Sequence, residues 1–290
     1  MSVLFTDTDC EMDWKDVEKY NIHVMGMPYI LDGEEKVYDM GKDEEAIHHF
    51  YKRVKEGSMP LTAALNPNDY VNYFEPIFAA GEDIFYIHFS NELSGTFKYM
   101  QMALEQLKEK YPERKITTFD TKSICLGAGI QVLEAAKLKA NGATDEEILA
   151  FLENFSKHIC TTFMVDSLSH LRRGGRISSA AAVIGGLLNI KPILHLTDDG
   201  KIVKVGAGNG VKKTINIMAN TFKQNYLPDN EYSVYIVDAE NGNVADSLAN
   251  AIRPYIKNKN VKIERLLIGP VIGTHCGPGS VGLIYYSAKR

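Results

Sequence analysis

The sequence contains few cysteines, and none has the spacing of a metal or redox pair. The four among 290 residues are Cys10, Cys125, Cys160 and Cys276. With no CxxC pair, this spacing argues against a zinc knuckle and a redox dithiol. The adjacent histidines His48 and His49 would point about 100° apart on a helix, so they could not easily share a metal. We therefore expect reduced thiols, no metal and no cofactor.

Basic charge and long apolar runs are also lacking. The formal net charge of −5 offers no basic field for nucleic acid. The most apolar later stretch, residues 183–196, is broken by Lys191 and Pro192 and is shorter than the roughly 18–20 residues that span a bilayer. A signal peptide begins with a basic segment followed by a long apolar run, whereas these first residues contain no basic side chain and reach the acidic Asp7 early. We predict a cytoplasmic protein that binds no nucleic acid and is not an integral membrane protein.

Within an ordinary globular composition, the first half of the chain alternates strand and helix patterns. Residues 83–89 form a short apolar run typical of a buried strand. An apolar stripe at helical spacing follows it, formed by Phe97, Met100, Leu104, Leu107 and Tyr111. Such alternation is typical of an α/β fold whose mainly parallel, doubly wound sheet binds ligands at the loops after its strands.

The pattern changes near residue 159. The turn Asp198-Asp199-Gly200 between two apolar runs predicts a β-hairpin. Before it, residues 168–175 and 178–189 are predicted as two short helical pieces. A hairpin is typical of a mixed sheet, so we predict two domains, an N-terminal α/β domain over 1–158 and a C-terminal α/β domain with a mixed sheet over 159–290.

Two polar segments of the first domain are candidates for anion binding. Ser94 and Gly95 stand where the amphipathic helix begins, and a hydroxyl beside backbone N–H groups there could hold an anion. The alternative is an ordinary serine N-cap. Thr62 lies between Pro60 and Pro67, where a lone threonine is usually only a turn residue.

Two segments of the second domain also carry reactive groups. Arg172 and Arg173 precede a Gly-Gly break, where guanidinium groups could hold a carboxylate or phosphate or form a solvated turn. Farther on, His275 and Cys276 lie in a glycine-rich stretch over 269–283. As neighbours they point different ways, which disfavours a thiol–imidazole pair. His275 could instead serve Ser94 as a base in acyl transfer or hydrolysis, although no GxSxG motif is present.

Five segments together resemble the DegV family of bacterial fatty-acid-binding proteins, in the same order along nearly the whole chain. They are LTAALNP (61–67), SNELSGT (90–96), FDTKSICLGAG (119–129), LSHLRRGGRIS (168–178) and GPVIGTHCGPGSVGL (269–283). Each segment is weak alone, but five in register are specific.

The resemblance implies a lipid-binding protein without catalytic activity that holds one long-chain fatty acid. It assigns the carboxylate to the hydroxyls of Thr62 and Ser94, with Gly95 supplying backbone and His275 lying near the head group. Ala63 stands where many members carry a second hydroxyl.

The resemblance further implies that Arg173, with Arg172 beside it, belongs to a face used in partner docking or phosphoryl transfer. Family members that serve a fatty-acid kinase present the carboxylate to a separate ATP-using subunit, which makes an acyl phosphate. Asn209 stands where such members tend to carry an arginine, and this departure weighs against a kinase partner more than against lipid binding.

Overall fold

The structure is a computed structural model that describes residues 2–178 and 189–290. Residues 179–188, which include most of the predicted helical piece over 178–189 and part of the apolar stretch over 183–196, lie outside the described residues. Across both described ranges, no helix is long and apolar enough to cross a membrane.

The secondary structure alternates along much of the chain. The strands are β1 (Val3–Asp7), β2 (His23–Met25), β3 (Pro28–Leu31), β4 (Glu34–Val37), β5 (Leu61–Thr62), β6 (Ile84–His88), β7 (Ile116–Asp120), β8 (Ile159–Met164), β9 (Ile190–Leu196), β10 (Ile202–Asn209), β11 (Val234–Asp238), β12 (Ile263–Leu267) and β13 (Val281–Tyr286). The helices are α1 (Trp14–Lys19), α2 (Glu44–Lys55), α3 (Pro67–Ala79), α4 (Thr96–Lys110), α5 (Leu126–Ala140), α6 (Asp145–Phe155), α7 (Ser169–Arg173), α8 (Val211–Asn225), α9 (Gly242–Ile252) and α10 (Pro270–Cys276).

The chain divides into two compact units. The first contains the residues up to Lys42 and Thr62–Ser156, and the second contains Asp43–Leu61 and Lys157–Arg290. The predicted division after residue 158 places residues 43–61 in the first domain, whereas their contacts place them in the second unit. The physical reason is the packing of α2, whose Tyr51 hydroxyl donates to the Ile268 carbonyl at 2.8 Å.

The first unit is built on a parallel sheet in the order β2-β1-β6-β7. Every residue of β6 is buried, as expected of its apolar run. The strand order reverses between β1 and β6, and open α/β sheets bind ligands at the carboxyl ends of strands beside such a reversal. The end of β1 at Asp7 and the chain leaving β6 after His88 therefore mark the expected binding edge.

A second, three-stranded sheet has the order β4-β3-β5, and its β3 and β4 pair antiparallel. Strand β2 joins the parallel sheet, whereas β3, only three residues later, lies between β4 and β5. Gly26 separates β2 from β3, and a Cβ added there would lie 2.2 Å from the Val37 side chain. A side chain at this change of direction would therefore force Val37 or the backbone to move.

Local capping explains where the helices of the first unit begin. The Asn66 side chain accepts from the backbone N–H of Asp69, the Asp69 carboxylate accepts from the backbone N–H of Asn66, and Pro67 occupies the first turn of α3. Thr144 and Glu147 form the same reciprocal pair at α6. Both helices therefore begin at a capping box.

The second unit contains a mixed sheet in the order β10-β9-β8-β13-β11-β12. Strands β9 and β10 pair antiparallel, which confirms the predicted hairpin, whereas β11 and β12 pair parallel. Helices α8 and α9 cover a core that includes Met218, Phe222, Ile236 and Leu248. The predicted fold class, a parallel first sheet and a mixed second sheet, is confirmed.

The glycine-rich stretch over 269–283 contains a short helix. Its first half forms the seven-residue helix α10, with Pro270 in the first turn. Gly277 ends the helix at a φ of 76°, a conformation that favours glycine. Proline at the start and glycine at the end thus delimit a short helix.

Candidate functional site

The residues predicted to bind ligand fall in both units. Thr62, Ser94 and Gly95 belong to the first unit, while His275 and the arginine pair belong to the second. Across the described ranges, no group of three or more His, Cys, Asp or Glu side chains could hold a metal ion. The predicted residues of the first unit are described first, and those of the second unit follow.

Ser94 lies two residues before α4, at the end of the chain segment that leaves β6. Its backbone is extended, and its hydroxyl oxygen accepts from the Thr96 N–H at 3.2 Å. A hydroxyl that accepts in this way still has a proton to donate, which suits a carboxylate. Ser94 thus binds the first backbone N–H of α4 and keeps a proton that it can donate to an anion.

Gly95 is the first flanking residue of α4 and is exposed. A Cβ added there would meet no atom within 4 Å. The space above this helix start is therefore open, and the partial positive charge of a helix N-terminus favours an anion in it.

Thr96 joins the Ser94 segment to the segment that carries Thr62. Its buried hydroxyl lies 2.9 Å from the Tyr70 hydroxyl and donates to the Leu65 carbonyl at 3.4 Å. Leu65 follows the half-buried Thr62 by three residues, and Thr96 follows Ser94 by two. The first unit thus brings the two predicted hydroxyl-bearing segments together.

Tyr70 and Thr96 are functional candidates that sequence reasoning missed. Thr96 belongs to the SGT motif, but its hydroxyl supports the site from within the core. Tyr70 is fully buried on α3, and this burial raises the pKa of its phenol above the usual value. Nothing in the pattern around Tyr70 distinguishes it from an ordinary core residue.

Asp7 anchors the other side of the binding edge. Its carboxylate accepts from the Tyr86 hydroxyl at 2.9 Å and from the backbone N–H groups of Asp9 at 3.0 Å and Phe89 at 3.4 Å. Complete burial raises the pKa of Asp7 to about 7, against the lowering effect of these hydrogen bonds. Asp7 also caps the short helical turn that follows β1, and its bond from Phe89 ties β1 to the chain leading toward Ser94.

The FDTKSICLGAG segment has a packing role. Gly129 on α5 approaches the first-strand loop so closely that a Cβ would lie 2.3 Å from the Cys10 carbonyl oxygen. Next to it, the Cys125 thiol donates to the Glu11 carboxylate at 2.7 Å, and both residues have positive φ angles. This motif therefore holds the loop after β1 rather than presenting a ligand group.

In the second unit, His275 lies on α10 and is half-buried. Burial lowers its pKa to about 3, and the nearby charges of Arg176 and Arg173 act in the same direction. The imidazole is therefore neutral near pH 7. It can donate one N–H to a carboxylate, but it is a weak base.

The arginine turn and α10 interlock through two glycines. A Cβ on Gly174 would lie 2.2 Å from the His275 ring nitrogen Nδ1. Reciprocally, a Cβ on Gly277 would lie 2.6 Å from the ring of His170. Each glycine of one motif accommodates the histidine of the other, which explains why both motifs need glycine at these positions.

The arginines themselves lie at the surface of the second unit. Arg172 and Arg173 are exposed on α7, and an Arg173 guanidinium nitrogen lies 3.1 Å from the His170 ring nitrogen Nδ1. Asn209 ends β10 and is also exposed. Of the predicted arginine pair, Arg173 is the one whose charge reaches His275.

These features describe an α/β protein with a hydroxyl-lined helix start at the binding edge of its parallel sheet. The model of the DegV family, described as an uncharacterised protein family, matches residues 2–288. The chain belongs to the DegV family, which confirms the assignment made from its five motifs.

Relatives match over nearly their full lengths. A DegV domain-containing protein of Clostridium perfringens is 36% identical over 283 residues, covering 98% of this chain and 96% of the relative. The solved structure of a fatty-acid-binding DegV family protein from Thermus thermophilus has a TM-score of 0.85 at 27% identity, covering 98% of this chain and 99% of that one. DegV of Bacillus subtilis, a fatty-acid-binding protein, has a TM-score of 0.81 at 28% identity, with 97% of each chain covered.

Proposed function

We propose that this protein binds one long-chain fatty acid and that the hydroxyls of Thr62 and Ser94 hold its carboxylate, with the backbone at Gly95. The observation that carries the proposal is the open helix start at Gly95, joined to the Thr62 segment through Thr96. Fatty-acid binding by the relatives from Thermus thermophilus and Bacillus subtilis supports the same ligand class.

The chemistry of the first unit suits such a head group. A carboxylate at the start of the 15-residue helix α4 faces the positive end of the helix dipole. The acyl chain has no directional group, so its affinity comes from apolar burial at about 0.8 kcal/mol per methylene before entropic costs. Two hydroxyls therefore need only orient the head.

The proposal assigns a further contact to His275. Because its pKa lies far below neutrality, the ring is uncharged and can donate a single N–H to a carboxylate oxygen. This contact is inferred from the family resemblance and from the neutral state of the ring.

We propose that the protein binds its lipid ligand and has no catalytic activity of its own. An acyl-transfer enzyme using Ser94 and His275 was the alternative, but a base with a pKa of about 3 poorly activates a serine near pH 7. We further propose that Arg172 and Arg173 belong to a partner-docking or phosphoryl-transfer face. Asn209 weighs against a fatty-acid kinase as that partner.

The head-group assignment is tested by titrating purified variants with oleate. We expect Ser94→Ala and Thr62→Ala each to weaken binding by about 10- to 150-fold, because a hydrogen bond to a charged group contributes about 1.5–3 kcal/mol. Ser247→Ala, which removes an exposed helix hydroxyl of the second unit, is the control and should bind as wild type. Unchanged affinity in both Ser94→Ala and Thr62→Ala would refute the assignment.

A further inference from the structure

His88 is the last residue of β6, and its side chain bonds to the chain that leaves the strand. Its ring nitrogen Nδ1 lies 2.7 Å from the Phe89 carbonyl oxygen. The Phe89 N–H donates to the Asp7 carboxylate at 3.4 Å. The next N–H, that of Ser90, donates to the Ser123 carbonyl at 2.7 Å. The backbone is therefore held at two successive residues directly after β6.

The bond to Phe89 determines which ring nitrogen of His88 carries the proton. A carbonyl oxygen can only accept, so Nδ1 must donate. Burial lowers the pKa of His88, and the charge of Lys122 acts in the same direction. The Phe89 bond and the Asp120 charge oppose this lowering without reversing it. The ring is therefore neutral near pH 7, with its proton on Nδ1.

The ring of His88 also packs against the first turn of α4. It is buried, and its centroid lies 4.4 Å from that of Phe97 at an interplanar angle of 36°. The Phe89 ring lies 5.0 Å from the same Phe97 ring. Phe97 follows Ser94 by three residues, so His88 contacts the chain both before and after the segment that carries Ser94 and Gly95.

Between these two contacts, the chain from Ser90 to Ser94 forms a single short helical turn. The Ser90 hydroxyl oxygen accepts from the Glu92 N–H at 3.3 Å, and the Ser90 carbonyl accepts from the Leu93 N–H at 3.1 Å. Because a turn held in this way has little freedom to absorb a shift in the Phe89 carbonyl, such a shift would reach Ser94.

We propose that His88 is a positioning residue for the ligand site: its Nδ1–H orients the Phe89 carbonyl and thereby places the Ser94 hydroxyl. This consequence for the ligand rests on the proposed binding of a fatty acid, whereas the hydrogen bond within the first unit does not. Position matters because an O–H···O bond is confined to donor–acceptor distances of about 2.5–3.0 Å, so a small displacement of the hydroxyl weakens it.

The hydrogen bond is tested by histidine NMR of the intact wild-type protein without added lipid. The expected result at pH 7 is a neutral His88 ring that carries its proton on Nδ1. A ring with its proton on Nε2 alone, or a charged ring, would overturn the proposal whatever the protein binds.

Two replacements of His88 separate the donor from the ring. His88→Phe keeps an aromatic ring beside Phe97 but has no donor, and we expect it to weaken oleate binding by about two- to tenfold, as for one lost hydrogen bond. His88→Asn loses the ring but places an amide N–H where Nδ1 stood, so it should recover most of that affinity. His23→Phe, at the start of β2 in the same parallel sheet, is the matched control and should bind oleate as wild type. If His88→Asn bound oleate no better than His88→Phe, the proposal would be refuted.

A double variant with Ser94→Ala distinguishes positioning from a general structural role. If His88 acts through the Ser94 hydroxyl, adding His88→Phe to Ser94→Ala should cause no further loss of oleate affinity, whereas a general disturbance of the unit would weaken binding in both backgrounds. Equal losses in the two backgrounds would rule out the positioning role. If wild type takes up no oleate, the proposed function fails and the positioning role with it, while the NMR result still decides the hydrogen-bond geometry.

Discussion

Removing the Thr96 hydroxyl should destabilise the first unit through Tyr70. In Thr96→Val the side chain keeps its shape, but the Tyr70 hydroxyl, 2.9 Å away in the native protein, loses its partner. Tyr70 is fully buried, and an unsatisfied buried polar group costs about 1–3 kcal/mol. The longer bond from Thr96 to the Leu65 carbonyl, at 3.4 Å, adds little.

The reverse change should cost less, which makes the pair suitable for a double-mutant cycle. Tyr70→Phe removes the phenol but leaves Thr96 its bond to Leu65, so we expect a loss of about 0.5–1.5 kcal/mol. With both hydroxyls gone no unsatisfied pair remains. The double variant should therefore be less destabilised than the sum of the single changes, by about 1 kcal/mol.

Urea unfolding followed by tryptophan fluorescence measures these changes. Trp14 is the single tryptophan of the chain and lies on α1, so its emission reports on the first unit. Thr118→Val, at an exposed position of β7, is the matched control and should change stability by less than about 0.5 kcal/mol. The reasoning would be refuted if the losses in unfolding free energy of Thr96→Val and Tyr70→Phe were strictly additive in the double variant. It would also be refuted if Thr96→Val were as stable as the Thr118→Val control.

Two further predictions concern the same unit. Gly95→Ala should leave the free energy of unfolding unchanged but weaken oleate binding, because the added Cβ enters the open space above the helix start. Gly129→Ala should lower the free energy of unfolding by about 1–3 kcal/mol in the same assay, because its Cβ would collide with the backbone carbonyl of Cys10. Equal stability of the two variants would contradict this account. Asp7 has a folded pKa of about 7 and an unfolded pKa of about 4, so the folded protein binds the extra proton and the Asp7 contribution to stability falls as pH rises across this range. Unfolding at pH 4.5 and 7.5 should show that fall in wild type and its loss in Asp7→Asn; the same pH slope in both proteins would show that Asp7 is not responsible.

Much of the fold follows from local patterns, because those patterns act within a few residues. The proline and asparagine at the start of α3, the reciprocal pair at α6 and the Asp-Asp-Gly turn specify elements that the structure contains. The short helix α10 was missed, because its glycines and prolines resemble those of a loop and it is only seven residues long.

Long-range packing is the part that local patterns do not contain. The membership of α2 in the second unit depends on Phe50 and Tyr51 meeting Gly273, more than 200 residues away. No periodicity within α2 records that partner. A domain boundary drawn as a single cut in the sequence therefore cannot represent this arrangement.

The candidate site shows the same division. Ser94 and Gly95 could be placed at a helix start from sequence, because capping residues and an apolar stripe mark it. The bond between Thr96 and Tyr70, and the exchange of glycine and histidine between the arginine turn and α10, join residues that are distant in sequence. The sequence contains the five motifs that identify the family, but the contact between Gly174 and the His275 ring is visible only in the structure.

The central claim is that the purified protein carries or takes up one fatty acid. Native mass spectrometry of the wild-type protein, before and after addition of oleate, measures this directly. We predict a mass increase equal to one fatty acid per chain, with strongly reduced occupancy in Ser94→Ala. A protein that carries no fatty acid on purification and gains none from excess oleate would contradict the account.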